Sequence, residues 1–522
     1  MPETPSPHPN DPFASRRAHY WQWIALAVAT LIYSWSLAPT TFWLDSAQLQ
    51  VRALEGFQWS PDARQYPLFV LLARLLTFTL DPVNTAWGLN ALTAALGCVA
   101  VFFLFDLLRH LRLSPPAALA GSLAFTAAHT VWYFSVITEV YTLFLVFLFG
   151  TLRAAIRWTS REPRFLPLTT FLLSLGLGHH RMMLLAVPPL AVYLWLKREH
   201  ITPGAHRRAG LSFAVGLFPL ASWALFFLLQ GHSLAELTHT YLFSGINDWR
   251  NVMQEVSVAK FQHSTMVLGV FFTYNFFGPA LMLGLLGVFT CLRKPTRETW
   301  LLGGFGLIAF VFALDYSVED QWAFFLPLYA VFAIWVAMGF EAVLQFARAR
   351  DTQFLRTKVI ALLALIVAVP MATYHFTPVA MNAANMNPFG RADARGFHRT
   401  LLNPNRQGDR TPHEFAARII ELVPPDTVLL CDAGSHSVLR YYQLAEGLGQ
   451  SMWLGFLDST DPDYLRPLIA ATYAGHEVYV VLHPYHRLEE GEHVKQVAER
   501  VADDVPLFKV IPPAATKPLL ET

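Results

Sequence analysis

The chain has 522 residues, 54% of them hydrophobic and 14% charged, with 41 Phe and 15 Trp. Soluble domains average about 25% charged residues, so the composition argues against a wholly soluble protein and for a polytopic membrane protein. The net charge of +1 offers no bulk attraction to nucleic acid.

Met1–Ser15 is polar and proline-rich and reads as a disordered cytoplasmic tail, taken as 1–19, with no small-residue cleavage site after the apolar run that follows. A membrane span needs about 20 apolar residues. Candidate spans begin near Tyr20, Thr85, Pro115, Thr138, Phe165, Met182, Ala209, His263, Thr299, Gln321 and Val359, eleven in all, within a membrane region 20–377. The fifth and sixth are short and split by Gly178-His179-His180-Arg181; broken spans often flank a functional cavity. With the N-terminus inside, the inner loops carry nineteen Lys and Arg and the outer loops six, which sets the orientation.

The first outer loop, 40–84, is long. Inside it Pro67–Thr79 is apolar for too few residues to span unaided and has Arg74 in its middle. It reads as an interfacial helix with Pro67 in its first turn, the alternative being a poor transmembrane helix. Gln230–Gln262 is a longer outer loop with Tyr241 and Trp249, and Asp315–Gln321 is short and acidic. From Pro378 to Thr522 the composition turns polar. Helices are expected at Glu414–Leu422, Ser437–Ala445, Tyr464–Ala474 and Glu492–Val501. Strands are expected at Val428–Cys431, Met452–Leu457, Val478–Leu482 and Leu507–Ile511. That alternation predicts a soluble extracytoplasmic α/β domain, 378–522, with a largely parallel sheet. Cys98, Cys291 and Cys431 suggest no disulfide framework.

Polar groups at membrane depth are costly and usually functional. Asp45 follows the first span. Glu139 opens the fourth. His179, His180 and Arg181 separate the fifth and sixth, and Asp315, Glu319 and Asp320 join the ninth and tenth. All fall on the outer face. A carboxylate, two imidazoles and a guanidinium in one pocket suit a phosphorylated, lipid-linked substrate: the carboxylate accepts a proton from a hydroxyl and the cations hold the phosphate. Plainer readings stand beside these. Asp45 could be a solvated helix-end acid, Glu139 a first-turn acid favoured by the helix dipole, and His-His-Arg a polar turn. Adjacent histidines cannot form an i, i+4 metal pair. The acidic loop could take a divalent cation or simply be hydrated.

The stretch LAPTTFWLDSAQLQVRALEGFQWSPDARQYPLFVLLARLLTFTLDPVNTAWGLNALTAAL resembles the opening of a family of polytopic membrane proteins. The family includes bacterial members of unassigned function and the vertebrate O-mannosyltransferase that acts on plexin-type receptor domains. Asp45 and Ser46, Tyr66, Pro67 and Leu68, and Trp87 with Asn90 match its pattern, as do the blocks ITEVYTL, GLGHHRMMLL, VEDQWAFFLPLY and PPDTVLLCDAGSHSVLRYYQ. The resemblance implies a class-C glycosyltransferase fold and an enzyme of the inverting type that takes a sugar from a polyprenyl-phosphate donor. The acceptor would be a protein, lipid or glycan hydroxyl on the outer face of the cell membrane. It further implies Asp45 as general base, with Glu139, His179, His180, Arg181, Tyr66 and Asp320 around the substrate. Two departures stand out: Gln48 replaces the family's Glu, and Pro61-Asp62-Ala63-Arg64-Gln65 replaces a glycine-containing segment. A transporter of lipid-linked sugar and a non-catalytic scaffold are the alternatives; polar groups clustered at one face rather than at mid-membrane favour the enzyme.

Overall fold

The computed structural model describes residues 12–56, 66–81, 84–243, 257–293, 295–318, 320–348, 355–472 and 477–511. The expectations that concern Met1–Ser15 before residue 12, the segment Pro61–Gln65, Trp249 and Glu319 lie outside the described residues.

Among the described residues, four single helices are long and apolar enough to cross a membrane: Thr85–His110, Arg297–Asp315, Gln321–Arg348 and Thr357–Ala383. Two bent pairs qualify when each is taken as one span, Ala205–Gly216 with Phe218–Leu229 at 55° and Val258–Asn275 with Pro279–Arg293 at 110°. The apolar helices Pro67–Thr77, Phe165–His179 and Arg181–Leu196 are shorter. The protein is thus a multi-pass membrane protein whose helices are often interrupted, and the interruptions have local causes. Pro219 and Pro279 stand in the first turn of the second helix of each bent pair, where a missing N–H is harmless but a preceding helix cannot run through. Gly278, at φ +85°, makes the 110° turn against Val369. The span expected from Pro115 is likewise two helices, Pro115–Ala127 and His129–Ser135, parted at the extended Ala128.

The first long loop holds two short helices, Asp45–Glu55 and Pro67–Thr77, the second with Pro67 at its start. The C-terminal sheet has five strands: β1 Val428–Cys431, β2 Trp453–Phe456, β3 Val478–Val481, β4 Ala498–Arg500 and β5 Leu507–Val510. Their order is β2-β1-β3-β5-β4. β2, β1 and β3 run parallel, while β5 is antiparallel to β3 and β4 antiparallel to β5. The sheet is therefore mixed, and the helix expected at Glu492–Val501 is corrected: the helix is Leu488–Val494, and Ala498–Arg500 pairs with β5. Fully buried β3 carries the apolar run that a strand covered on both faces needs.

One apolar core runs without a break from the membrane helices through Trp43 and Leu49 to Phe415, Leu429, Tyr441 and Tyr485. The C-terminal residues are packed onto the end of the membrane region that carries the first long loop.

Candidate active site

The helix Pro12–Trp35 ends just before the turn formed by residues 36–44, and the helix Asp45–Glu55 follows. Asp45 is exposed in the first turn of that second helix, where the unpaired N–H groups favour a negative charge. The residue before it, Leu44, has φ 54° and ψ −126°, a conformation rarely open to a residue with a Cβ. The next residues, Ser46 and Ala47, are buried.

A buried polar knot fixes this helix. Asn90 donates to the carbonyls of Ala38 and Thr40, both at 3.0 Å. Its own carbonyl accepts from Gln50 at 3.3 Å and from the Thr138 hydroxyl at 2.7 Å. Gln50 also donates to Thr138 at 2.7 Å. The knot ties the Asp45 helix to the segment that carries Glu139. Glu139 is buried between the helices His129–Ser135 and Tyr141–Arg157. Since the latter starts only at Tyr141, Glu139 precedes the helix and is not a first-turn acid. Its N–H donates to Thr93 and its carboxylate accepts from the Val140 N–H at 3.3 Å.

The His-His-Arg group is a break between helices. His179 ends the helix Phe165–His179, His180 is extended, and Arg181 opens a short 3-10 turn to Ala186. The His179 ring donates to the Val140 carbonyl at 3.0 Å, one residue from Glu139. His180 Nδ1 accepts from the Met182 N–H at 3.2 Å and caps the turn. Tyr66 stacks on His180 at 5.5 Å and 14° and lies 6.1 Å from His179. His179 Nδ1 and His180 Nε2 are buried with no hydrogen-bond partner among the described residues. A narrow cleft of about 20 Å³ opens beside them, lined by Tyr66, Leu177, His179, Arg181, Trp223 and Tyr241.

Electrostatics join the remaining groups. The Tyr66 phenol is pushed above its usual range, first by burial and then by the Asp45 and Glu139 charges, against the pull of Arg181 and Arg52. Asp45 and Asp320 both act through space on Glu139. Asp320 is exposed at the start of the turn Gln321–Phe325, whereas Asp315 is paired with Lys260 at 3.0 Å. Asp45, Tyr66, Glu139, His179, His180, Arg181 and Asp320 therefore surround one region. Among the described residues, no group of three or more His, Cys, Asp or Glu side chains is placed to hold a metal ion. Gln50, Thr138 and Tyr141, which sits 5.5 Å from His180, were not singled out by sequence. Their only signal was adjacency to Asp45 and Glu139.

The arrangement offers an exposed carboxylate, a guanidinium and unsatisfied imidazole nitrogens beside an aromatic cavity. It can accept a proton at one point and hold an anion at another. Fold and site together define a class: a membrane protein with the class-C glycosyltransferase fold. The fold is similar to that of ArnT from Cupriavidus metallidurans bound to undecaprenyl phosphate, with a TM-score of 0.58 at 14% identity, covering 94% of this chain and 98% of that one. It is also similar to the Archaeoglobus fulgidus oligosaccharyltransferase tethered to an acceptor peptide, with a TM-score of 0.51 at 13% identity, covering 88% and 69%. Residues 64–202 match the family model described as the Protein O-mannosyl-transferase TMEM260 N-terminal domain. The Mus musculus Protein O-mannosyl-transferase TMEM260 is 29% identical over 163 residues, 30% of this chain and 23% of that protein's length. The resemblance to O-mannosyltransferase-like membrane proteins thus holds for the stretch that carries Tyr66, Glu139, His179, His180 and Arg181.

Proposed function

We propose that the chain is a glycosyltransferase that moves a sugar from a polyprenyl-phosphate donor to an acceptor hydroxyl on the extracytoplasmic face, with inversion. The acceptor oxygen bonds to the anomeric carbon as the carbon–oxygen bond to phosphate breaks. The hydroxyl proton passes to Asp45, and the phosphate leaves with the bonding electrons. Arg181 and the Nε2–H of His180 hold the departing phosphate, His179 braces them through its bond to Val140, the cleft beside Tyr66 opens to the donor, and Glu139 and Asp320 face the sugar. The observation that carries this reading is the convergence of the exposed Asp45 carboxylate with Tyr66, Glu139 and Arg181 around one region. Similarity of residues 64–202 to an O-mannosyltransferase domain supports the chemistry, and the ArnT fold, solved with undecaprenyl phosphate, supports the donor class.

In this reading the chain crosses the membrane eleven times, its shorter apolar helices included, with 1–19 in the cytoplasm and 378–522 outside as an α/β domain. The test is to incubate purified protein with a panel of radiolabelled polyprenyl-phosphate sugars. Consumption of one donor is expected, and Asp45→Asn should lower turnover about 10²–10⁴-fold while donor binding persists. Unchanged turnover in Asp45→Asn rejects Asp45 as the base. Donor carried across vesicles without being consumed would support a transporter.

A further inference from the structure

We infer that the C-terminal sheet is a positioning device for Asp45: Arg406, Gly434 and His483 grip Phe42, Trp43 and Leu44 and so hold the turn from which Asp45 emerges. This rests on the reading of Asp45 as the base.

The turn needs holding. Leu44, at φ 54° and ψ −126°, occupies a conformation that persists only where surrounding contacts over-determine it. Leu44 is exposed at 57%, so its own burial supplies little of that support. The contacts come from the far end of the chain. The Arg406 N–H donates to the Ser36 carbonyl at 3.0 Å. Its fully buried guanidinium lies 4.8 Å from the Phe42 ring and 4.7 Å from the Tyr133 ring. Trp43 meets His483 edge-on at 4.3 Å and Phe415 at 5.4 Å.

The sheet's topology explains why Trp43 sits there. β1 continues through the helix Ala433–Ala445 to β2 on one side, and β2 then crosses to β3 on the other. The order in which strands are added therefore reverses between the parallel neighbours β1 and β3. Open parallel sheets bind their ligands in the crevice beyond the carboxyl ends of strands at such a switch. Asp432 and His483 follow the ends of β1 and β3. The Asp432 carboxylate accepts from the N–H groups of Ser435 and His483, locking the two strand ends together. In this protein the crevice is filled by the chain's own Trp43. Gly434 is required for the fit: a Cβ there would come within 2.7 Å of His483 and 3.3 Å of Leu44. The other end of the Asp45–Glu55 helix is held by the same unit, since Arg440 donates twice to Glu55, at 2.9 and 2.8 Å. Trp43 Nε1 and His483 Nε2 are both buried without a partner among the described residues.

The experiment measures kcat, donor KM and thermal unfolding for Leu44→Gly, His483→Ala and Gly434→Ala, each in the parent and in Asp45→Asn. Leu44→Gly should relax the turn, leaving unfolding temperature unchanged or raised, yet lower kcat about 10²-fold, the effect of misplacing a catalytic group by about 1 Å. His483→Ala and Gly434→Ala should lower kcat with donor KM held near the parent's. None of the three should lower the residual rate of Asp45→Asn further, because variants acting through one group are not additive. Lys509→Gln, on β5 in the antiparallel part of the sheet, should leave kcat and donor KM at the parent's values. Parental kcat in Leu44→Gly, or equal losses in both backgrounds, overturns the inference. Should Asp45→Asn itself keep parental kcat, the assignment of Asp45 fails first, a result distinct from either of these.

Discussion

Asn90→Leu removes the centre of the buried knot while keeping volume nearly constant, so the loss is of hydrogen bonds more than of packing. Asn90 makes four of them, to Ala38, Thr40, Gln50 and Thr138. Between membrane helices a hydrogen bond averages about 0.6 kcal/mol, so the four sum to about 2.4 kcal/mol. The change also strands buried groups, chiefly the two carbonyls and the Thr138 hydroxyl, and each unsatisfied group costs about 1–3 kcal/mol where no water reaches it. The stranded groups already include the lost bonds, so the two sums are not added, and destabilisation of about 3–9 kcal/mol is expected, read as a lowered unfolding temperature of the detergent-solubilised protein. Adding Thr138→Val takes away one stranded hydroxyl and should return about 1 kcal/mol. Parental unfolding of Asn90→Leu refutes the account of the knot. So does a double variant whose loss is the sum of the two single losses, because residues sharing one network must couple.

Arg181→Gln should weaken polyprenyl-phosphate binding by about 10–100-fold, the worth of a charge-assisted hydrogen bond, in an equilibrium binding measurement; parental affinity would remove Arg181 from the donor site. Burial, with Arg391 and His486 adding to it, lowers His483 to about 3. Its unfolded value is about 6.5, so the unfolded chain binds the extra proton between these values. His483 thus contributes stability that is full above pH 6.5 and is lost as pH falls toward 3, at no more than about 1.4 kcal/mol per pH unit. Asp432, which burial pushes upward, works in the opposite sense, favouring the folded state as pH falls through its raised value. Comparing acid unfolding of the parent with His483→Asn isolates the histidine: the variant should be less acid-sensitive below pH 6.5, and identical profiles would count against a neutral buried imidazole. Alkaline phosphatase fused after Pro378 should be active outside the cell, whereas activity of a cytoplasmic reporter at that point would reverse the orientation.

Much of the local structure can be read from residues near in sequence. Pro67 starts its helix because its fixed φ and missing N–H suit a first turn. The β-branched and leucine run Val428–Cys431 is a strand as expected, and His179-His180-Arg181 interrupts the apolar pattern where the helices part. Asp45, Glu139 and Asp320 were visible because a carboxylate beside a span is costly enough to stand out. What surrounds them depended on the tertiary structure. Ala498–Arg500 has no pattern that separates a helix end from an edge strand, and only pairing with β5 decides it. Arg406 carries no local signal, yet it is buried against Phe42 and Tyr133. Arg440 reaches Glu55 across 385 residues, and Tyr66 finds His180 although neither has a sequence neighbour that calls for the other. Periodicity and turn chemistry act over a few residues, so they determine elements. A reaction centre is made by side chains brought together from different elements, and that depends on which faces the shared core buries.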